Sequence, residues 1–403
     1  MTLTDSPEPT LAAPRHTALR RLVEDPAAFA VRLPEEPRMR RAADDFSDLF
    51  DLGTIDELLT DRALRRPAFR VIRDGEQVPD TACLHRSLLY PDVADPHKIS
   101  RLLAEGATLV FQGLQELTGP LAEFARRLAH DLGRPVNVNA YVTPAGSQGF
   151  GDHYDTQDSF IVQIHGSKRW TLNDPVVARP LSHESGRKVT AGAPGRTLTL
   201  APGDCLWLPR GWVHSARSTD TASVHLTISL YEWTGHWAWT RIADRAADLP
   251  GRFPLSTDFF RDRSAAEKDM ATLRAELIEW LTRADDSALV DLVRAAGAPE
   301  FPSPLRHPFR QALADGVDED TEYTVNAYAV LGAEIRGDRL VLTLGARGLT
   351  VPATMAPILA DLLSRDRFRP KDLTPPLDPA QRDHLLSRLQ SEGVLTPASG
   401  SRT

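Results

Sequence analysis

Three side chains in this sequence have types and spacings that suit a metal ion. His153 and Asp155 stand two positions apart in GFGDHYDTQDSFIVQIHGSKRW. In an extended chain, residues i and i+2 project to one face, which would set imidazole beside carboxylate with Tyr154 opposite. A second histidine, His214, closes GDCLWLPRGWVH, where Gly203, Pro209, Gly211 and His214 follow the spacing G-x5-P-x-G-x2-H. That spacing has a mechanical sense. Gly203-Asp204 makes a turn, Leu206, Trp207 and Leu208 form a buried strand, and Pro209-Arg210-Gly211 turns the chain so that the next strand presents His214 inward. Two neutral imidazoles and one carboxylate on one face of a divalent ion leave the opposite positions open, as in non-haem Fe(II) oxygenases. Zinc and manganese accept the same donors. An HxD pair alone is common on solvated loops, and a lone histidine is common in cores; the pairing of the two runs points to a metal.

Lys168 sits thirteen residues after Asp155, just past Gly166 and on what reads as the next strand of the same wall. If it faces inward, its ammonium needs an anionic partner, because a buried unpaired charge is costly. The distal carboxylate of 2-oxoglutarate would satisfy it through a charge-assisted hydrogen bond. If it faces outward with Arg169, it is an edge charge in water, and strand alternation leaves both orientations open. The run VNVNAYVTP places Asn137, Asn139 and Tyr141 on one face, with Val136, Val138, Ala140 and Val142 on the other. Such a polar stripe either meets solvent or lines the interior of a helix-covered barrel, where Asn139 and Tyr141 would contact a cosubstrate. VHLTISL repeats the pattern with His225, Thr227 and Ser229, and His225 reads as a supporting residue rather than a fourth ligand.

The elements that must position these residues follow from periodicity. HKISRLLAEG and PLAEFARRLAHDLG read as amphipathic helices, each closed by glycine. Between about 136 and 235, short alternating apolar runs separated by turn residues predict a barrel or sandwich. Residues 264–296 predict two helices, the first carrying Met270, Leu273, Leu277 and Trp280 at helical spacing. The last hundred residues start over with strand-like and helical runs that suit a winged-helix module. Residues 1–15 and 396–403, rich in Pro, Ser, Thr and Ala, read as disordered tails.

Composition narrows the classes. The 403 residues are 41% hydrophobic and 25% charged, the balance of a soluble globular chain, with a net charge of −8 that disfavours nucleic-acid binding. The two cysteines, Cys83 and Cys205, form no CxxC pair, which argues against thiolate zinc sites or a disulfide framework. No run approaches the roughly eighteen apolar residues of a membrane span, and no secretory leader is evident, so a cytoplasmic protein is expected. Phosphate-binding loops, dinucleotide fingerprints and nucleophile elbows are not found.

The stretches NAYVTPAGSQGFGDHYDTQDSFIVQIHGSKRWTL and APGDCLWLPRGWVHSA, with VHLTIS after them, resemble the JmjC-type, cupin-fold 2-oxoglutarate oxygenases. Within that family the likeness is to the ribosomal-oxygenase branch, which hydroxylates ribosomal proteins. The spacing ending at His214 is its second cupin motif, and the likeness covers roughly residues 100–235. The resemblance implies an α+β fold with a double-stranded β-helix (cupin/JmjC) core and flanking helices over 16–235. It further implies a helical dimerisation segment over 236–300 and a C-terminal winged-helix-like domain over 301–395. It implies Fe(II) on His153, Asp155 and His214, and 2-oxoglutarate anchored by Lys168 with Asn139, Tyr141 and Thr227 around it. O2 is the co-reactant, a homodimer the expected assembly, and a protein or peptide, a ribosomal protein among the candidates, the substrate. Direct nucleic-acid reading and membrane association are not expected.

Other readings stay open at this level. The same chemistry on an N-methyl group would make a demethylase, and a peptide natural product is an alternative substrate. A non-catalytic adaptor would be free to lose a ligand of the triad, and a hydrolase- or isomerase-type metal cupin would have no use for Lys168.

Overall fold

The computed structural model describes residues 16–184, 189, 195–246, 248, 250–298, 319–373 and 376–398. The expected tail at 1–15 and the start of the expected winged-helix region, 301–318, lie outside them.

Two antiparallel sheets form the core. The strands, in chain order, are β1 (Arg38–Arg40), β2 (Phe69–Arg73), β3 (Glu76–Gln77), β4 (Thr108–Phe111), β5 (Val136–Thr143), β6 (Ser159–His165), β7 (Lys168–Asn173), β8 (Arg196–Leu200), β9 (Cys205–Leu208), β10 (Val213–Ser218) and β11 (Ser223–Leu230). The larger sheet runs β1-β9-β6-β11-β5-β4-β2-β3 and the smaller β8-β7-β10. Leu206, Leu208 and Ile161 of the large sheet pack on Trp170, Leu172 and Leu200 of the small one, so the sheets face each other over a shared interior. The opposite face of the large sheet is also buried. Val138, Ala140, Phe160, Val162, Leu226 and Ile228 join one core with the helical residues Leu121, Phe124 and Leu128. Every residue of β11 is buried, as a strand covered on both sides requires.

The covering helices form where the sequence dictates. Helix α1 (Pro96–Ala104) starts at Asp95, whose side chain accepts from the Lys98 N–H, and buries Ile99 and Leu102. Helix α2 (Gly119–Leu132) buries Leu121, Phe124, Ala125, Leu128 and Ala129, an i, i+3, i+4, i+7, i+8 stripe, and stops at Gly133 with φ 62°.

Two turns place the site. Gly166 links β6 to β7 at φ +59°, and a Cβ there would sit 1.9 Å from the Ala222 carbonyl oxygen, so only glycine fits. Gly211, at φ +86°, turns the chain into β10, and a Cβ would sit 2.6 Å from the Val177 carbonyl oxygen.

Beyond the barrel come α3 (Gly235–Arg245), α4 (Arg263–Arg283) and α5 (Asp286–Gly297). Of the residues in α4 only Trp280 is buried, and Met270, Ile278 and Leu281 are exposed. The C-terminal unit has its own core, including Leu340, Leu342, Leu359, Leu362 and Leu389. Its strands are β12 (Tyr323–Val325), β13 (Gly332–Arg336), β14 (Arg339–Leu344), β15 (Arg347–Pro352), β16 (Arg367–Phe368) and β17 (Leu395–Pro397), with helices α6 (Ala356–Ser364) and α7 (Pro379–Ser391). They make two three-stranded sheets, β13-β14-β15 and β16-β12-β17. The start of the tail expected at 396–403 is corrected, and residues 399–403 lie outside the described ones. Thr396 and Pro397 pair with Thr324 and Tyr323, because β12 offers them a free edge. Among the described residues, no helix is long and apolar enough to cross a membrane.

Candidate metal centre and cosubstrate pocket

His153, Asp155 and His214 meet. One ligand atom from each lies within 4.8 Å of the others. His153 and Asp155 do not, however, share the strand that their spacing predicts. Residue 153 forms a single bridge with His214, and Asp155 lies in irregular backbone before β6. That bridge does the positioning: His153 N–H donates to the His214 carbonyl at 3.1 Å and His214 N–H to the His153 carbonyl at 2.7 Å. The Gly211 N–H then binds the Asp155 carbonyl at 2.9 Å, tying the loop to the turn that delivers His214. Tyr154 points the other way, buried, with its hydroxyl on the Glu184 carbonyl.

Both imidazoles have their Nδ1 engaged. His153 Nδ1 is 2.9 Å from the Gly151 carbonyl and His214 Nδ1 is 3.0 Å from the Trp212 carbonyl. A carbonyl only accepts, so each Nδ1 carries the hydrogen and each Nε2 presents its lone pair. His214 Nε2 lies 3.7 Å from Asp155 Oδ2. Burial, reinforced by neighbouring His153, lowers the His214 pKa and favours the neutral form a metal ligand needs.

The ligands open onto a cavity lined also by Thr108, Tyr141, Phe150, Lys168, Trp170, His225 and Thr227. Lys168 faces inward, only 4% exposed, while Arg169 is exposed. Its Nζ donates to Thr143 Oγ1 at 3.1 Å, and no carboxylate among the described residues pairs with it. Burial brings its pKa down to about 7. A buried ammonium with one neutral acceptor is an incomplete arrangement that a carboxylate would complete. Thr227 and Tyr141 line the cavity as expected, and burial pushes the Tyr141 hydroxyl up to about 12, so it stays a donor.

Asn139 is placed differently. It is absent from the lining, and its Oδ1 accepts from the Gly113 N–H and from Asn137 Nδ2, both at 3.1 Å. It neighbours Tyr141 on the same face of β5, two residues back from the cavity lining. His225 lines the cavity without joining the metal set; its ring stacks on Tyr141 at 4.8 Å and meets Trp170 edge-on at 5.4 Å. Gly149 also borders it. Sequence reasoning passed over Thr143, Trp170 and Thr108. The first two were within reach, since Thr143 continues the Asn137, Asn139, Tyr141 parity and Trp170 lies two residues from Lys168. Thr108 depends on β4 lying beside β5, a pairing that no local pattern announces.

Comparison with known proteins bears on this geometry. The family described as a JmjC domain matches residues 120–237. This region is a JmjC domain. The E. coli ribosomal oxygenase YcfD shares the fold, with a TM-score of 0.52 at 17% identity over 93% of this chain and 99% of that one. A second YcfD structure, in complex with cobalt and 2-oxoglutarate, gives a TM-score of 0.51 at 16% identity, over 94% of this chain and 99% of that one. The JmjC domain thus sits in a chain of mixed helix and sheet that shares the YcfD fold. Among curated relatives, ribosomal oxygenase 2 of Bos taurus is 39% identical over 210 residues, 49% of this chain and 42% of the relative. The bifunctional lysine-specific demethylase and histidyl-hydroxylase NO66 of Dictyostelium discoideum is 30% identical over 192 residues, 46% of this chain and 36% of the relative. The chain therefore spans less than half the length of these relatives.

Proposed function

We propose that this protein is an Fe(II)- and 2-oxoglutarate-dependent oxygenase that hydroxylates a side chain of a protein or peptide substrate. The observation that carries the reading is the union, in one cavity, of a two-histidine, one-carboxylate ligand set with a buried ammonium lacking a carboxylate. A hydrolase- or isomerase-type metal cupin has no need of that ammonium. In this reading His153, Asp155 and His214 hold Fe(II), and Lys168 receives the far carboxylate of 2-oxoglutarate. Thr227 and Tyr141 flank the cosubstrate, and Asn139 orients Tyr141. When bound, iron and cosubstrate supply oxidative decarboxylation with dioxygen, giving succinate and CO2 and placing one oxygen atom in a substrate C–H bond. The chain's own work is to fix the imidazole tautomers, neutralise the distal carboxylate and keep the pocket walled by Trp170, Phe150 and Ile161, so that water is excluded.

The substrate class proposed is a ribosomal protein, on the strength of the ribosomal oxygenases among the relatives. Residues 236–300 form the dimer contact in this proposal, supported by exposed Met270, Ile278, Leu281 and Val290 on two helices. The 301–395 region is proposed as a winged-helix-like docking module rather than a nucleic-acid reader, and the protein as cytoplasmic.

Anaerobic Fe(II) and 2-oxoglutarate should produce a weak visible charge-transfer band, and His214→Ala should abolish it. A folded, iron-loaded wild-type protein without that band ends the oxygenase reading. Mass spectrometry of ribosomal proteins from cells with and without the enzyme then separates hydroxylation, a gain of one oxygen atom, from demethylation, a loss of one methylene.

A further inference from the structure

Lys168 has more rotatable bonds than any other side chain lining the pocket, so something must hold its ammonium in place. We propose that Thr143, braced by Thr108, is the positioning residue that sets the Lys168 ammonium where the distal carboxylate is received. The inference rests on the 2-oxoglutarate reading of the site.

Thr143 is the last residue of β5 and Thr108 the first of β4, adjacent strands of the large sheet, and both side chains are buried. Lys168 Nζ donates to Thr143 Oγ1 at 3.1 Å, and Thr143 Oγ1 lies 3.1 Å from Thr108 Oγ1. An ammonium requires a lone pair from its acceptor, so the Thr143 hydrogen is directed away from Lys168, and Thr108 Oγ1 lies within hydrogen-bond reach on that hydroxyl's other side. The three groups form a hydrogen-bonded chain anchored on two strands and ending at the cation. Gly149 closes the far side of Thr108: a Cβ at 149 would sit 2.8 Å from Thr108 Oγ1, so glycine there leaves the threonine its place. Valine at 143 keeps the shape of threonine and removes the acceptor, leaving Lys168 without a hydrogen-bond partner; serine keeps the acceptor.

The test is anaerobic titration of the full-length, Fe(II)-loaded protein, read by the charge-transfer band, with iron content measured separately. Thr143→Val should bind 2-oxoglutarate about ten- to a hundredfold more weakly, the range for losing a hydrogen bond to a charged group. Thr143→Ser should stay within about threefold of wild type, as a retained acceptor implies. Pyruvate, which offers the same chelating end and no distal carboxylate, should bind wild type and Thr143→Val equally. Should Thr143→Val not fold, Thr108→Val carries the same test with a smaller loss. Unchanged 2-oxoglutarate affinity, or an equal loss for pyruvate, overturns the inference. A wild-type protein that gives no band with either acid overturns the 2-oxoglutarate reading itself, and this inference with it.

Discussion

The barrel interior has two halves built from the same alternation of side chains. One is apolar: Ile161, Leu172, Leu200, Leu206 and Leu208 close around Trp170. The other is polar: Asn137, Asn139, Tyr141 and Thr143 on β5 face His225, Thr227 and Ser229 on β11. Burial of polar groups is tolerated when they find partners, and most of these do. Ser159 meets Ser229 at 3.0 Å, Gln115 meets Asn137 at 3.2 Å, and Asn137 meets Asn139 at 3.1 Å. Among the described residues the Lys168 ammonium has a single neutral acceptor, while His225 Nδ1 and, in the apolar half, Trp170 Nε1 have no partner. The apolar half holds the sheets together, and the unmet bonding capacity of Lys168, His225 and Trp170 gathers in the cavity beside the ligand set.

That division can be broken experimentally. The largest effect is expected from His214→Ala: iron binding lost and turnover down roughly a thousandfold or more, with the melting temperature of the metal-free protein little changed. Leu206→Ala should do the reverse, costing about 2–5 kcal/mol in denaturant unfolding while the folded fraction keeps its iron and its charge-transfer band. If Leu206→Ala abolishes iron binding in folded protein, the two halves are not separable.

Lys168 gives a prediction in pH. Burial lowers its pKa from 10.5 to about 7, so below about 7 it is charged in folded and unfolded chains alike and the cost of burying the charge is fully present. Between about 7 and 10.5 the unfolded chain retains a proton that the folded chain has released, so the stability of the ligand-free protein rises with pH. Lys168→Met should remove that rise and melt several degrees above wild type at pH 6, while losing 2-oxoglutarate affinity. A wild-type stability curve that is flat or falling over this window, relative to Lys168→Met, contradicts the buried ammonium. The smallest effect belongs to Asn139→Ala, about 1 kcal/mol of stability from its lost hydrogen bonds and a severalfold rise in KM for 2-oxoglutarate through Tyr141.

How far the sequence carried depended on whether the constraint was local. Gly203, Gly211 and Gly166 mark positive-φ turns where a side chain would strike backbone, and such positions are legible in a single sequence. The alternation of β5 is legible, but its direction is set only by the packing of Val136, Val138 and Ala140 into the helix-covered core, which turns Asn137, Asn139 and Tyr141 to the interior. The HxD pair was located for the wrong reason: its two residues share a side because one bridge pins the loop, not because a strand runs through them. Strand β1, only Arg38–Arg40, pairs with Arg38 opposite Trp207, and nothing in the tripeptide Arg-Met-Arg announces an edge strand. Thr108 and the two C-terminal sheets depended likewise on which distant segments become neighbours.

The hydrogen bonds of the two imidazoles have a further consequence. Each ring is locked by a carbonyl two residues before it, whereas the Asp155 side chain is 45% exposed and, among the described residues, accepts no hydrogen bond. The centre therefore behaves as a vice with two fixed jaws and one that slides. Ions of different radius should be accommodated almost entirely by rotation of Asp155, so crystal structures with iron, cobalt and manganese would superimpose at the histidines and differ at the carboxylate.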